Sequence, residues 1–298
     1  MKRRTRLVLG CVLLLCALCA CTVQPEPAVE ATPSPTPVPT IAPPEEETIS
    51  RPTPIPKEQV EAPTMIPDPL SLATPEPLPP LTGLVIGIDP GHQQTPDDVR
   101  ESVSPGSEET KPRCAAGTRG IVSNVYEYEV NLSVALKLKA LLEAQGAKVV
   151  LTRSENDVQI SNRERAQIFN RYEVDLAIRL HCNGTDDASV RGAFMLVPSK
   201  SCTAFYAENV QAATSVIEHY CAVTGLSTRK NKAITYRSDQ TGFNWCNRPI
   251  ICIEMGHLSN ETEDLLLTNP AFQDKMAVGI CDGILAYFHP EASEEGGI

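Results

Sequence analysis

The sequence is short of positive charge, contains no CxxC pair beyond Cys21 and shows no internal repeat. Each shortage excludes a class of protein. With 26 Lys and Arg against 37 Asp and Glu, the formal charge is −11, so a polyanionic partner is disfavoured and no nucleic acid is expected. The 11 cysteines suggest a disulfide framework, but four lie at or before Cys21. The other seven (Cys114, Cys182, Cys202, Cys221, Cys246, Cys252 and Cys281) are scattered and odd in number, so at least one is not paired within the chain. Without a CxxC pair a zinc ribbon is excluded. Without a repeat, so is a solenoid.

The N-terminus, "MKRRTRLVLGCVLLLCALCAC", has a basic start followed by an apolar run too short for a settled membrane span. That is the layout of a secretory signal over residues 1–20. The stretch "LCAC" (Leu18 to Cys21) resembles a bacterial lipobox, which implies cleavage before Cys21 and lipid on its thiol. Cys16 and Cys19 are poorer candidates, because Leu15 and Leu18 precede them. An uncleaved N-terminal anchor is the alternative; in both cases the rest of the chain is expected outside the cytoplasm, tethered to the outer face of the membrane. Cleavage removes Lys2, Arg3, Arg4 and Arg6 and takes the formal charge from −11 to −15.

Residues 21–80 form the next unit: 18 of the 26 prolines lie between Thr22 and Pro80, among Glu, Thr and Ser. Such a segment cannot bury a core and is expected to be a disordered, polyproline-biased spacer, able to reach about 180 Å at about 3.1 Å per residue. Residues 81–290 suit one domain with a sizeable core, and 291–298 a disordered tail.

Within that domain, Val85–Ile88 reads as a short buried strand that breaks on Asp-Pro-Gly and hands over His92. Glu127–Gly146 carries apolar residues at three- and four-residue spacing and closes on Gly146, which predicts a helix with a glycine cap. Ala147–Arg153 is a predicted strand, and Ser161–Tyr172 a helix opened by a Ser cap with Glu164 three residues on. Asp175–His181, Ala193–Val197 and Pro249–Glu254 are further predicted strands; residues 204–223 and 271–288 are predicted helices. Alternating strands and helices predict an α/β fold, a largely parallel sheet with helices on both faces. Ligands of such sheets bind beyond the carboxyl ends of the strands, where His92, His181 and Glu254 fall.

Two histidines and a carboxylate around an open coordination position make a catalytic zinc site. Zinc lowers the pKa of water to about 7, and a further carboxylate can move the proton. His92 and His181 are the candidate histidines, with Glu127 and Glu254 the strongest carboxylates. His219 sits inside a predicted helix and His289 near the chain's end, so surface or packing roles suit them. His257, three residues past Glu254, reads as a groove residue.

The strings "IDPGH" (Ile88–His92), "EYEVNL" (Glu127–Leu132), "LTR" (Leu151–Arg153), "NRERA" (Asn162–Ala166), "IRLHCNG" (Ile178–Gly184) and "EMGHLSN" (Glu254–Asn260) resemble the successive motifs of the zinc-dependent N-acetylmuramoyl-L-alanine amidases of the Amidase_3 type. They stand in the family's order and span nearly all of residues 84–288. The resemblance implies hydrolysis of the amide joining N-acetylmuramic acid to L-alanine in peptidoglycan. It also implies Zn2+ held by His92, Glu127 and His181, with Glu254 as general base and acid. Glu127 is preferred to Glu129 because it lies four residues before Asn131, the family offset, and Glu129 points to another face. Both acids would also suit the helix dipole. No protein partner is expected.

Arg179 stands where many relatives carry a small residue, and His257 where an aromatic is usual; with Asn183 they are the expected substrate-binding positions. For Asn183 a capping role is an equal alternative. The turn-rich segment Gln93–Gly120 is either a groove border or a surface insertion, and Trp245 either a groove residue or a core anchor. Two rival functions remain: a zinc peptidase acting on stem peptides, for which Arg153, Arg179 and Arg248 could supply the cation, and a non-catalytic wall-binding module, which should lack a ligand or the base.

Overall fold

A computed structural model describes residues 78–290; the leader, Cys21, nearly all of the spacer and the tail from 291 lie outside the described residues. In chain order the elements are β1 (Val85–Pro90), β2 (Asp97–Ser102), β3 (Thr110–Cys114), α1 (Glu127–Ala144), β4 (Lys148–Leu151), α2 (Asn162–Arg171), β5 (Leu176–Asn183), β6 (Phe194–Pro198), α3 (Tyr206–Thr224), β7 (Ile234–Arg237), α4 (Thr241–Asn244), β8 (Ile250–His257), α5 (Glu261–Leu267) and α6 (Pro270–Phe288).

Six strands form one sheet in the order β4-β1-β5-β8-β6-β7. Pairings are parallel except between β6 and β8, so the expected largely parallel sheet is present. Strand alternation sorts its side chains. Ile178 and Leu180 of β5, with Ile251 and Ile253 of β8, face a core built from Leu138 and Leu142 of α1, Val216 and Tyr220 of α3, and Ile280 of α6. Burying each such leucine contributes roughly 1.5–3 kcal/mol relative to exposure. Ala177 and Cys252 face the opposite side, against Phe169 of α2 and Phe243 of α4. Helices therefore cover both faces, and Leu81 is already fully buried at the start of the domain.

The cap signals in the sequence operate locally. Ser161 accepts from the Glu164 backbone N–H (3.1 Å), while Glu164 accepts from the Ser161 N–H (2.8 Å). Gly146 takes φ +89°, the left-handed conformation that lets the chain turn out of α1.

Five elements were not legible: β2, β3, β7, the four-residue α4 and α5. β2 and β3 form an antiparallel hairpin inside the turn-rich segment; β2, "DDVRES", has no apolar alternation and is held by tertiary bonds. Trp245 Nε1 donates to the Ser102 carbonyl (2.8 Å), and Arg113 pairs with Asp97 (3.2 Å) and Glu164 (3.1 Å). β7 is a four-residue edge strand, and α5 is a short helix capped by Asn260.

All seven cysteines among the described residues are free thiols. Among these residues no helix is long and apolar enough to cross a membrane.

Candidate metal centre

Three elements converge on one point. His92 follows β1 directly and holds φ +60°, a left-handed conformation uncommon for a residue with a side chain. Glu127 opens α1, and His181 lies near the end of β5. Glu127 Oε1 lies 3.3 Å from His92 Nε2 and 3.0 Å from His181 Nδ1. His92 Nδ1 stands 2.8 Å from the Ala115 carbonyl. A carbonyl can only accept, so Nδ1 carries the proton and Nε2 keeps its lone pair for the centre. Glu127 is itself oriented: Oε2 accepts from the Thr118 N–H (2.8 Å) and Oε1 from the Cys182 N–H (3.1 Å). Asn131, one helical turn on, donates to the Gly91 carbonyl (3.2 Å) and ties α1 to the histidine loop.

Electrostatics follow the same geometry. Burial would raise the Glu127 pKa, but His92 and His181 outweigh it and hold the carboxyl well below its usual range. Burial brings His181 down to about 4, leaving it neutral. Burial also opposes protonation of His92, yet the adjoining Glu127 charge raises its pKa overall.

These residues fit a metal ion. One ligand atom from each of His92, Glu127 and His181 lies within 4.8 Å of the others. The packing reserves the space: a Cβ at Gly91 would come within 2.3 Å of the His181 ring, and one at Gly117 within 2.9 Å of Glu127 Oε2. Two imidazole nitrogens and one carboxylate oxygen suit a first-row divalent cation with coordination positions left open.

Beneath the centre lies a buried charge network. Asp89 accepts from Arg165 (2.7 Å), Arg179 (2.8 Å) and Thr152 (2.6 Å). Burial would raise its pKa, but Arg165 and Arg179 more than reverse that and keep it ionised. Arg165 also donates to the carbonyls of Pro90 (2.9 Å) and His92 (3.0 Å), and Arg153 to those of Pro90 (2.9 Å) and Gly91 (3.1 Å). Asp89, Arg153 and Arg165 thus hold the histidine loop. The strings "LTR" and "NRERA" contained both arginines, but nothing in their spacing reveals that they are buried.

A cavity of about 240 Å³ opens beside the centre. His92, His181, Arg179, Cys252 and Glu254 line it together with Lys111, Pro112, Arg237, Asp239 and Thr241. The hairpin strand β3 therefore borders the groove. Glu254 is the register partner of His181 and makes no hydrogen bond or ion pair among the described residues. Burial and the Glu127 charge raise its pKa to about 8, against the opposing charges of Arg179, Arg229 and Arg237.

The remaining sequence candidates fall as follows. Arg179 is buried, bonded to Asp89 and to Asn162 Oδ1 (2.7 Å), and shows the cavity only part of its guanidinium. His257 is fully buried and does not line the cavity; its Nε2 lies 3.2 Å from Asn183 Nδ2. Asn183 Oδ1 accepts from the Gly184 N–H (2.9 Å), a local capping bond. Glu129 turns back to accept from the Tyr126 N–H (2.8 Å), away from the two histidines. Trp245 anchors the hairpin. His219 and His289 bond to the Ser215 and Pro80 carbonyls, far along the chain from the triad.

The sequence profile described as N-acetylmuramoyl-L-alanine amidase (Amidase_3) matches residues 86–286. The chain belongs to this family. Over 225 residues it is 31% identical to the germination-specific N-acetylmuramoyl-L-alanine amidase of Bacillus subtilis, covering 70% of this chain and 81% of that protein. An N-acetylmuramoyl-L-alanine amidase of Clostridium difficile 630 has a similar structure (TM-score 0.56, 26% identity, 70% of this chain and 98% of that one). The fold is also that of the amidase Ami1 from Mycobacterium smegmatis (TM-score 0.66, 23% identity, 71% and 99%). The chain is an amidase of this family by membership, with the His92–Glu127–His181 cluster in place.

Proposed function

We propose that the protein is a zinc amidase of peptidoglycan, with His92, Glu127 and His181 holding the metal and Glu254 moving protons. The observation that carries this reading is the convergence of both histidines on one buried carboxylate, with a second carboxylate, Glu254, lining the adjoining cavity and making no side-chain hydrogen bond among the described residues. Zinc bound there would polarise the scissile carbonyl and lower the pKa of a water molecule.

The chain's own groups supply the rest. Ala115 fixes the His92 ring through Nδ1, and Thr118 and Cys182 fix Glu127. Glu254 takes a proton from the attacking water and returns it to the departing L-alanine nitrogen, so one carboxyl serves both transfers.

The expected lipid on Cys21 would place this domain outside the membrane, on a spacer long enough to reach the wall. A peptidase acting on stem peptides needs a dedicated cation for a terminal carboxylate. Of the three arginines weighed for that role, Arg153 and Arg248 donate to backbone carbonyls and Arg179 is held by Asp89. Membership of the amidase family is what favours the amidase reading. Incubating the metal-loaded protein with purified peptidoglycan and weighing the released fragments tests it. Free stems beginning with L-Ala are expected; loss of a terminal D-Ala alone would make it a peptidase.

A further inference from the structure

We propose that Lys111 and Arg237 form a subsite for the free carboxylate of the stem residue that follows L-alanine, so that the enzyme selects stems carrying D-glutamate there over D-isoglutamine. This rests on the amidase reading above. Both cations line the cavity that holds His92, His181 and Glu254. Lys111 comes from β3 and Arg237 from the end of β7, so tertiary structure alone brings them together.

Their geometry already accommodates a carboxylate. Arg237 Nε and Nη2 donate to the two oxygens of Asp239 at 2.8 Å each, and Lys111 Nζ lies 2.7 Å from Asp239 Oδ2. Two cations share one acid, Asp239, while the Glu254 charge also acts on Arg237. The side chains of Lys111 and Arg237 are 37% and 41% exposed, so a ligand can reach both. Lys111 also donates to the Asp239 carbonyl (2.5 Å) and so ties the hairpin to the end of β7, whereas Arg237 and Asp239 lie on the same segment.

The substrate supplies the matching anion. D-Glutamate continues the stem through its side-chain carboxyl, so its α-carboxyl is free. That group lies one residue from the scissile nitrogen, and consecutive Cα atoms are only about 3.8 Å apart. With the scissile amide beside Glu254, the carboxylate stays within the cavity that Lys111 and Arg237 also line. Amidation removes its charge and one acceptor, and the charge-assisted bonds with it.

The test compares N-acetylmuramoyl-L-Ala-D-Glu with N-acetylmuramoyl-L-Ala-D-isoGln as substrates of the metal-loaded protein. The acid should be favoured in kcat/KM by about tenfold or more, the scale of one lost charge-assisted bond. In Arg237→Gln the ratio should fall toward one, whereas Asp239→Asn, which removes the competing acid, should keep or raise it. A purely structural latch would slow both substrates in the same proportion in both variants. Should Arg237→Gln misfold, Lys111→Gln carries the same comparison. A wild-type ratio near one, or a ratio unchanged in both cation variants, overturns the subsite while the amidase reading stands. Cleavage of neither substrate overturns that reading, and the subsite with it.

Discussion

Glu254 on β8 and His181 on β5 are register partners on adjacent parallel strands. Alternation turns both to the face that also carries α2, and at the end of β5 that face meets His92 and Glu127. One carboxylate, Glu127, is enclosed by imidazoles and backbone N–H groups; the other, Glu254, makes no side-chain hydrogen bond or ion pair among the described residues. Two acids of the same type are thereby given different tasks by their surroundings.

The second acid can be tested without disturbing the metal. Glu254→Gln keeps the side-chain shape but cannot accept the proton. Release from peptidoglycan should fall by roughly 10²–10⁴-fold, with zinc content and fold near wild type. Near-normal release at full zinc would remove Glu254 from the mechanism, and loss of zinc would make it a ligand.

Its titration is a separate observable. In the metal-free protein the Glu254 carboxyl should titrate at about 8, followed by carboxyl-carbon NMR with Glu254→Gln for assignment. Because the folded value lies above the unfolded one, the proton favours the folded state. That contribution is present below the ordinary glutamate range and is lost as pH rises through about 8. Zinc should move the titration down, since a nearby cation favours the carboxylate.

His92→Ala and His181→Ala should lose metal and activity together, measured by elemental analysis and fragment release on one preparation. Glu127→Ala should do the same, and Glu129→Ala should retain both, because Glu129 caps α1 from outside the cluster. Zinc lost from Glu129→Ala and kept by Glu127→Ala would reverse the choice of carboxylate.

Asp89→Asn leaves Arg165 and Arg179 buried without their counter-charge. Breaking a buried pair costs about 3–5 kcal/mol, which should appear as a lower urea midpoint. Asp89 has a folded pKa held below its unfolded value, so its stabilisation is complete above about pH 4 and declines as pH falls further. The wild type should lose stability in that acid range more steeply than the Asn variant does.

Cys21→Ala should abolish lipid labelling and shift the protein out of the membrane fraction. Unchanged labelling would place the lipid, if any, on another thiol.

The sequence by itself determined the architecture and the main chemistry of the site. Period-two and three-to-four-residue patterns define the buried strands and amphipathic helices, and Ser161 and Gly146 mark ends that depend only on neighbouring backbone. His92, His181 and Glu254 were legible because each follows an apolar run in the sequence, although β5 and β8 continue past His181 and Glu254. Tertiary structure alone decided what depends on partners distant in the chain. β2 has no apolar pattern and exists through β3, Trp245 and Arg113. His257 looks like a groove residue by spacing, yet β8 continues through it and buries it behind Asn183. Arg153 and Arg165 read as helix and strand-end charges until folding brings Asp89 and the carbonyls of Pro90 and Gly91 against them. Local signals specify elements, since their hydrogen bonds close within a few residues; which buried charge meets which is settled only when the strands pair.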